Sequence, residues 1–183
     1  MRSISPRSPR AALGALLAAL LLAALAPGAL AAPPSPKPKD PAIKPGKVLG
    51  GVKIGQPLAD AQAAWGGEGD CDVDPVNETT SCTYGSVKNG IASITAFDGD
   101  VIGVSLAAPV KGAKFVFTGP LMKFGTKKGD LGLGDQLTDI ADRYPDGDLK
   151  GQELVFASSS SRMEFFTGDG TRGKVSQIIF EAR

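Results

Sequence analysis

Two spacings of apolar residues organise this chain. Leu58, Ala61 and Trp65, and later Leu137, Ile140, Ala141 and Tyr144, fall on one side of a helical turn, the stripe of a short amphipathic helix. Gln56-Pro57 suits the start of the first helix, because proline at the first helical position loses no hydrogen bond. Gly66-Gly67 supplies its stop. Asp135 is a good N-cap for the second helix, and Pro145 ends it. Elsewhere apolar and polar residues alternate, which predicts strands over 81–85, 91–97, 101–106, 153–157, 162–166 and 175–182. A tight turn at Asp98-Gly99-Asp100 and a longer one over 167–174 join the last two strands of each group. A further alternating run, 114–118, predicts a strand between the groups.

The two helical stretches match without a gap. Residues 54–65 (IGQPLADAQAAW) return as 133–144 (LGDQLTDIADRY), an offset of 79 positions. That is longer than ordinary solenoid repeats and suits a supersecondary unit. The expected fold class is therefore α+β: two tandem helix-plus-antiparallel-meander units forming one domain. The first unit spans 48–109, a connecting segment 110–127, and the second unit 128–183. A short helix needs a sheet to pack on. The expected core is thus Leu58, Trp65, Phe97, Leu137, Ile140, Tyr144 and Phe166.

The amino terminus has a different character. Arg2, Arg7 and Arg10 precede an uncharged apolar run over 11–25, and Ala29-Leu30-Ala31 offers a signal-peptidase site. Residues 1–31 read as a signal peptide. The alternative, an uncleaved anchor, needs about twenty apolar residues. No cysteine follows the run, so a lipoprotein anchor at this site is excluded. The protein is expected to be secreted, extracellular or in the cell envelope. Residues 32–47 hold six prolines among four lysines and read as a Pro/Lys-rich linker, either a semi-rigid spacer or a solvated tail.

Without the three leader arginines, seventeen basic residues face nineteen acidic ones. No basic stripe marks a nucleic-acid partner. Cys71 and Cys82 are the two cysteines, and in an exported chain a disulfide is expected. A thiol nucleophile or metal pair is the alternative, but there is no histidine and no CxxC spacing.

The apolar-Gly-x-x-Leu helix starts, the glycine after the first helix, the cysteine-flanked loop, Tyr84 and the hairpin Phe97-Asp98-Gly99-Asp100-Val101 occur in order. Together they resemble the SmpA/OmlA (BamE-like) unit. In tandem they resemble the β-lactamase-inhibitory type of secreted actinobacterial protein. The resemblance implies a concave sheet that grips a partner protein. The chain departs from the pattern at Gly55-Gln56-Pro57 and Gly134-Asp135-Gln136, where the family has Gly-Met-Thr, and it has cysteines in the first unit alone.

Candidate chemistry is sparse. Asp70, Asp72 and Asp74 alternate as in calcium loops, but Pro75 replaces the required glycine and Ser81 the bidentate glutamate. No metal and no cofactor are expected. Gly132-Leu133-Gly134 lacks the third glycine of a dinucleotide fingerprint. Asn77-Glu78-Thr79 is a glycosylation sequon, meaningful in a eukaryotic source. The absence of histidine removes the commonest general base, and residues 158–161 read as a polar serine turn. A non-catalytic binding protein is expected, with inhibition of a secreted enzyme as one concrete form. It would present Asp72, Asp74, Glu78 and Tyr84, on the sheet face or a disulfide-pinned loop, to another protein or an envelope component. Alternatives are a BamE-like envelope assembly factor and a hydrolase using two carboxylates.

Overall fold

A computed structural model describes residues 32–126, 131–168 and 173–183. The signal-peptide expectation, on 1–31, lies outside them, as do part of the long turn before the last strand and the first residues of the proposed second unit.

Eight strands form the main sheet: β3 (Asp70–Asp74), β4 (Thr79–Ser86), β5 (Gly90–Phe97), β6 (Asp100–Ala107), β10 (Asp148–Lys150), β11 (Glu153–Ala157), β12 (Ser161–Thr167) and β13 (Val175–Ala182). Their order is β10-β11-β12-β13-β6-β5-β4-β3, and every neighbouring pair is antiparallel. The two hairpin series are sewn together where β13 pairs with β6, from Gln177 opposite Ala107 to Glu181 opposite Gly103.

Two α-helices occur among the described residues, α1 (Leu58–Ala64) and α2 (Leu137–Arg143), each of seven residues. At 1.5 Å per residue each is about 10 Å long, too short to stand alone. α1 packs on β5 and β6, and α2 on β11 and β12. The same face is filled further by β1 (Ala42–Lys44), β2 (Val48–Leu49), β9 (Gly125–Thr126) and a 3-10 turn, Pro120–Lys123. Ile43, Leu49, Leu121 and Phe124 enter the core from these pieces.

This arrangement overturns the α+β expectation. The described residues are mostly β, built around the eight-stranded antiparallel sheet with two short helices, and not two tandem helix-plus-meander units. The matched segments do a narrower, local job. Gly55 and Gly134 both adopt positive φ, 77° and 92°, and each donates its N–H to a strand residue, Val101 and Val175, at 2.8 Å. Val101 and Val175 donate back to Gln56 and Asp135, while Leu58 and Leu137 donate to the turn glycines Gly99 and Gly173. Each helix start is therefore clasped to a hairpin by backbone bonds. Glycine is needed where the chain turns through left-handed φ. Neither helix has a side-chain cap. Asp135 lies outside the helix and accepts from the Gly132 N–H at 2.8 Å, so its expected capping role is also corrected.

Residues 32–47, read as a linker, are strapped onto the fold. Lys37 and Lys39 donate backbone N–H groups to Trp65 and Ala64, which end α1, and Gly85 donates to Pro34. Ile43 is fully buried. Backbone pairing and the buried Ala42 and Ile43 outweigh the extended preference of the prolines. The strand expected over 114–118 is limited to β8 (Lys114–Phe115), paired with β7 (Val110–Lys111).

Trp65, Leu137 and Ile140 are buried, and Leu58 and Tyr144 pack partly buried against the core. Phe97 and Phe166 are corrections. In β5 the buried positions are Ala92, Ile94 and Ala96, which turns Phe97 to the opposite face at 48% exposure. In β12, Met163, Phe165 and Thr167 point inward, so Phe165 is the core aromatic and Phe166 is half-buried on the other face.

Candidate binding face

One face of the sheet carries the helices and straps; no described element covers the other. Side chains alternate across a strand, so the registers arrange this open face in rows. One row runs Asp70, Thr83, Ser93, Ser105, Ile179, Glu164, Val155 and Asp148. The next runs Asp72, Ser81, Thr95, Gly103, Glu181, Arg162 and Ala157. At the centre the Ser93 and Ser105 hydroxyls hydrogen-bond at 2.8 Å. They line a shallow depression of about 270 Å³ with Thr95, Ile102, Ile179 and Glu181.

Carboxylates flank this hydroxyl-rich centre. On the β12 side, Arg162 bonds Glu153 at 3.0 Å and its Nε lies against Glu164. Burial pushes the Glu164 carboxyl above its ordinary range; Arg162 opposes this, while Glu153 and Glu181 add to it. Two glutamates thus share one arginine, with Glu181 close enough to act on Glu164. At the other edge, β3 presents Asp70, Asp72 and Asp74 opposite Thr83, Ser81 and Thr79. Carboxylates lie at both ends of the face, and Glu181 brings one more to the rim of the central depression.

Cys71 and Cys82 lie directly opposite each other on β3 and β4, with Cα atoms 3.9 Å apart, and form a disulfide. The expected cysteine-flanked loop is therefore a hairpin. The disulfide faces inward, where the Gln62 amide of α1 donates to both sulfurs at 3.4 and 3.3 Å. The bond ties an otherwise exposed edge strand into the sheet.

The residues expected to meet a partner are not brought together. Asp72 is exposed on the open face. Asp74 is engaged in the hairpin turn, accepting from the Asn77 amide at 2.6 Å and from the Val76 and Asn77 N–H groups. The Asn77 side chain, then these N–H groups, hold its pKa below the usual aspartate value. Glu78 is exposed in the same turn with φ 53°. Tyr84 is 1% exposed, so its expected partner contact is a correction. Its ring packs edge-on to Trp65 at 5.2 Å and its hydroxyl donates to the Gly67 carbonyl at 3.0 Å. Burial raises its pKa.

The polar phase Ser93-x-Thr95 with its partner Ser105 is the sequence signal of the open face, since alternation sets these residues on one side of their strands. Among the described residues, no group of three or more His, Cys, Asp or Glu is placed to hold a metal ion, and no helix is long and apolar enough to cross a membrane.

No protein-family model and no curated protein matches this chain. Among solved structures it is similar to an extracellular protein containing an SCP domain from Bacillus anthracis str. Ames. The identity is 9% and the TM-score 0.47, over 70% of this chain and 43% of that one. It is also similar to a cysteine-rich secretory protein from Staphylococcus aureus subsp. aureus Mu50, at 12% identity and TM-score 0.43, over 82% of this chain and 47% of the other. The chain thus spans less than half the length of either. The BamE-like and β-lactamase-inhibitory expectation rested on two tandem helix-plus-meander units, and it is withdrawn with them, because both hairpin series join in one eight-stranded sheet.

Proposed function

We propose that this is an exported, non-catalytic binding protein that engages another protein through the open face of its sheet. The observation that carries the reading is the asymmetry of the sheet. Helices, straps and aromatic side chains fill one face, while the other leaves Ser93, Thr95, Ser105 and the half-exposed Phe97 uncovered between two anionic ends. A rigid antiparallel sheet holds such groups without further ordering, which lowers the entropy cost of association. The charge pattern suits a partner with basic side chains at the margins of its contact area. Export is supported by the disulfide and by the amino-terminal charge and hydropathy pattern. The non-catalytic reading is supported by the lack of histidine. Inhibition of a secreted enzyme is the most specific form of this function.

The test is affinity capture from the culture supernatant and envelope fraction of the native source, using the wild-type chain and two variants. Thr95→Trp obstructs the centre of the face, and Asp70→Lys with Asp72→Lys reverses one margin. A reproducible protein partner should be lost with the first variant and weakened by the second, while Lys123→Ala on the 3-10 turn retains it. Capture of no reproducible partner, or undiminished capture by Thr95→Trp, would overturn the reading.

A further inference from the structure

A second concavity, away from the Ser93–Ser105 depression, lies where the amino-terminal strap meets the end of β11. It measures about 500 Å³ and is lined by Ile43, Lys44, Lys47, Tyr144, Asp146 and Phe156, among others. That volume falls within the range of small-molecule sites, about 300–1,000 Å³. Its floor is apolar: Ile43 is fully buried, and Phe156 meets the Tyr144 ring edge-on at 6.2 Å. Its wall is built rather than incidental. The Lys47 N–H closes a turn on the Lys44 carbonyl at 2.9 Å, and the buried Ser161 hydroxyl donates to the Gly46 carbonyl at 3.0 Å. This fixed turn carries both lysines to the rim, exposed, with Asp146 as the third charged residue of the lining. The rim is net positive by one charge.

We propose that this cavity binds a small molecule with an apolar body of aromatic size and one anionic group. The aromatic and aliphatic floor takes the body by burial of apolar surface. The two ammonium groups take the anion, and Asp146 disfavours a second negative charge. Of the open-face rows Ala157 alone reaches this site, at its margin, and the residues changed in the two tests do not overlap, so its failure and the failure of the protein-binding reading are distinguishable.

Titration of the full exported chain with anilinonaphthalene sulfonate, followed by fluorescence and by backbone amide shifts, tests the proposal. The neutral phenylnaphthylamine serves as the paired probe. Saturable one-to-one binding of the sulfonate should perturb amides at 43–47 and 144–158. Lys44→Glu with Lys47→Glu, both on exposed side chains, should weaken the sulfonate about tenfold and the neutral probe less than about twofold. Asp146→Asn should tighten the sulfonate about two- to threefold by the same reasoning. No saturable binding, amide shifts confined to other parts of the sheet, or equal losses for both probes would overturn the proposal.

Discussion

The Ser161 hydroxyl donates a buried hydrogen bond to the carbonyl of Gly46, 115 positions earlier in the chain, at 3.0 Å. Ser161 begins β12, and Gly46 sits in the turn between β1 and β2 with φ 69° and Phe156 alongside. A serine run that reads as a polar turn thus closes the amino-terminal strap onto the far half of the sheet.

Ser161→Ala removes the donor and leaves the Gly46 carbonyl buried without it. An unsatisfied buried group costs about 1–3 kcal/mol, so the urea midpoint should fall correspondingly with an unchanged slope. Amides at 44–47 should exchange faster. An unchanged midpoint would mean that Ile43 and the backbone pairing of the strap hold it without this bond.

Reduction of the disulfide should act locally before it acts globally. The bond closes a short loop and stabilises by about 2–3 kcal/mol in the chain-entropy model. β3 pairs with β4 alone, and most of it is exposed. Reduced protein should therefore lose amide protection first at 70–74, with β5 and β6 still protected. Simultaneous loss across the sheet would contradict this order.

Phe97 and Phe165 should respond in opposite ways to truncation. Phe165 is fully buried and meets Phe156 edge-on at 5.8 Å; Phe165→Ala should cost about 3–5 kcal/mol. Phe97→Ser should stay within about 0.5 kcal/mol, as surface substitutions do, while weakening partner capture. Chemical denaturation of the two variants compares them directly.

The Glu164 carboxyl is raised by burial, so the folded chain holds its proton more firmly than the unfolded chain. The sign follows from linkage: the stabilising contribution is complete below the unfolded glutamate value, about 4.3, and is lost as pH rises through the folded value. Glu164→Gln keeps a neutral group there. It should match the wild type in acid and become the more stable of the two as pH rises through that window. Asp74, lowered by Asn77, contributes in the opposite sense, present above the ordinary aspartate value and lost as pH falls through its folded one. Thermal melts across pH with both the wild type and Glu164→Gln measure the difference; identical pH profiles would contradict it.

Much of the local structure was legible in the residues. The stripe of Leu58, Ala61 and Trp65 located α1, and the alternations over 91–97 and 175–182 located β5 and β13 within a residue at either end. β3 was not legible, because Asp70-Cys71-Asp72-Val73-Asp74 is too polar to announce a strand. It exists because it is paired and disulfide-linked to β4. The candidate contacts fared worse. Tyr84 is internal, and Asp74 is spent on its own turn. The Lys44–Lys47 cavity was invisible, since its walls come from segments about a hundred positions apart.

Periodicity, the glycines at 55 and 134, and the cysteine pair are local properties, and the chain alone determined them. Which phase of each strand is buried was decided by tertiary structure. An alternating strand offers two faces, and Phe165-Phe166 offers an aromatic to each. The choice fell to the face that Ile43, Leu49, Trp65 and Phe124 come from distant segments to cover. The opposite face stayed open because no described element reaches it, and that non-local outcome placed the hydroxyl and carboxylate rows where a partner can meet them.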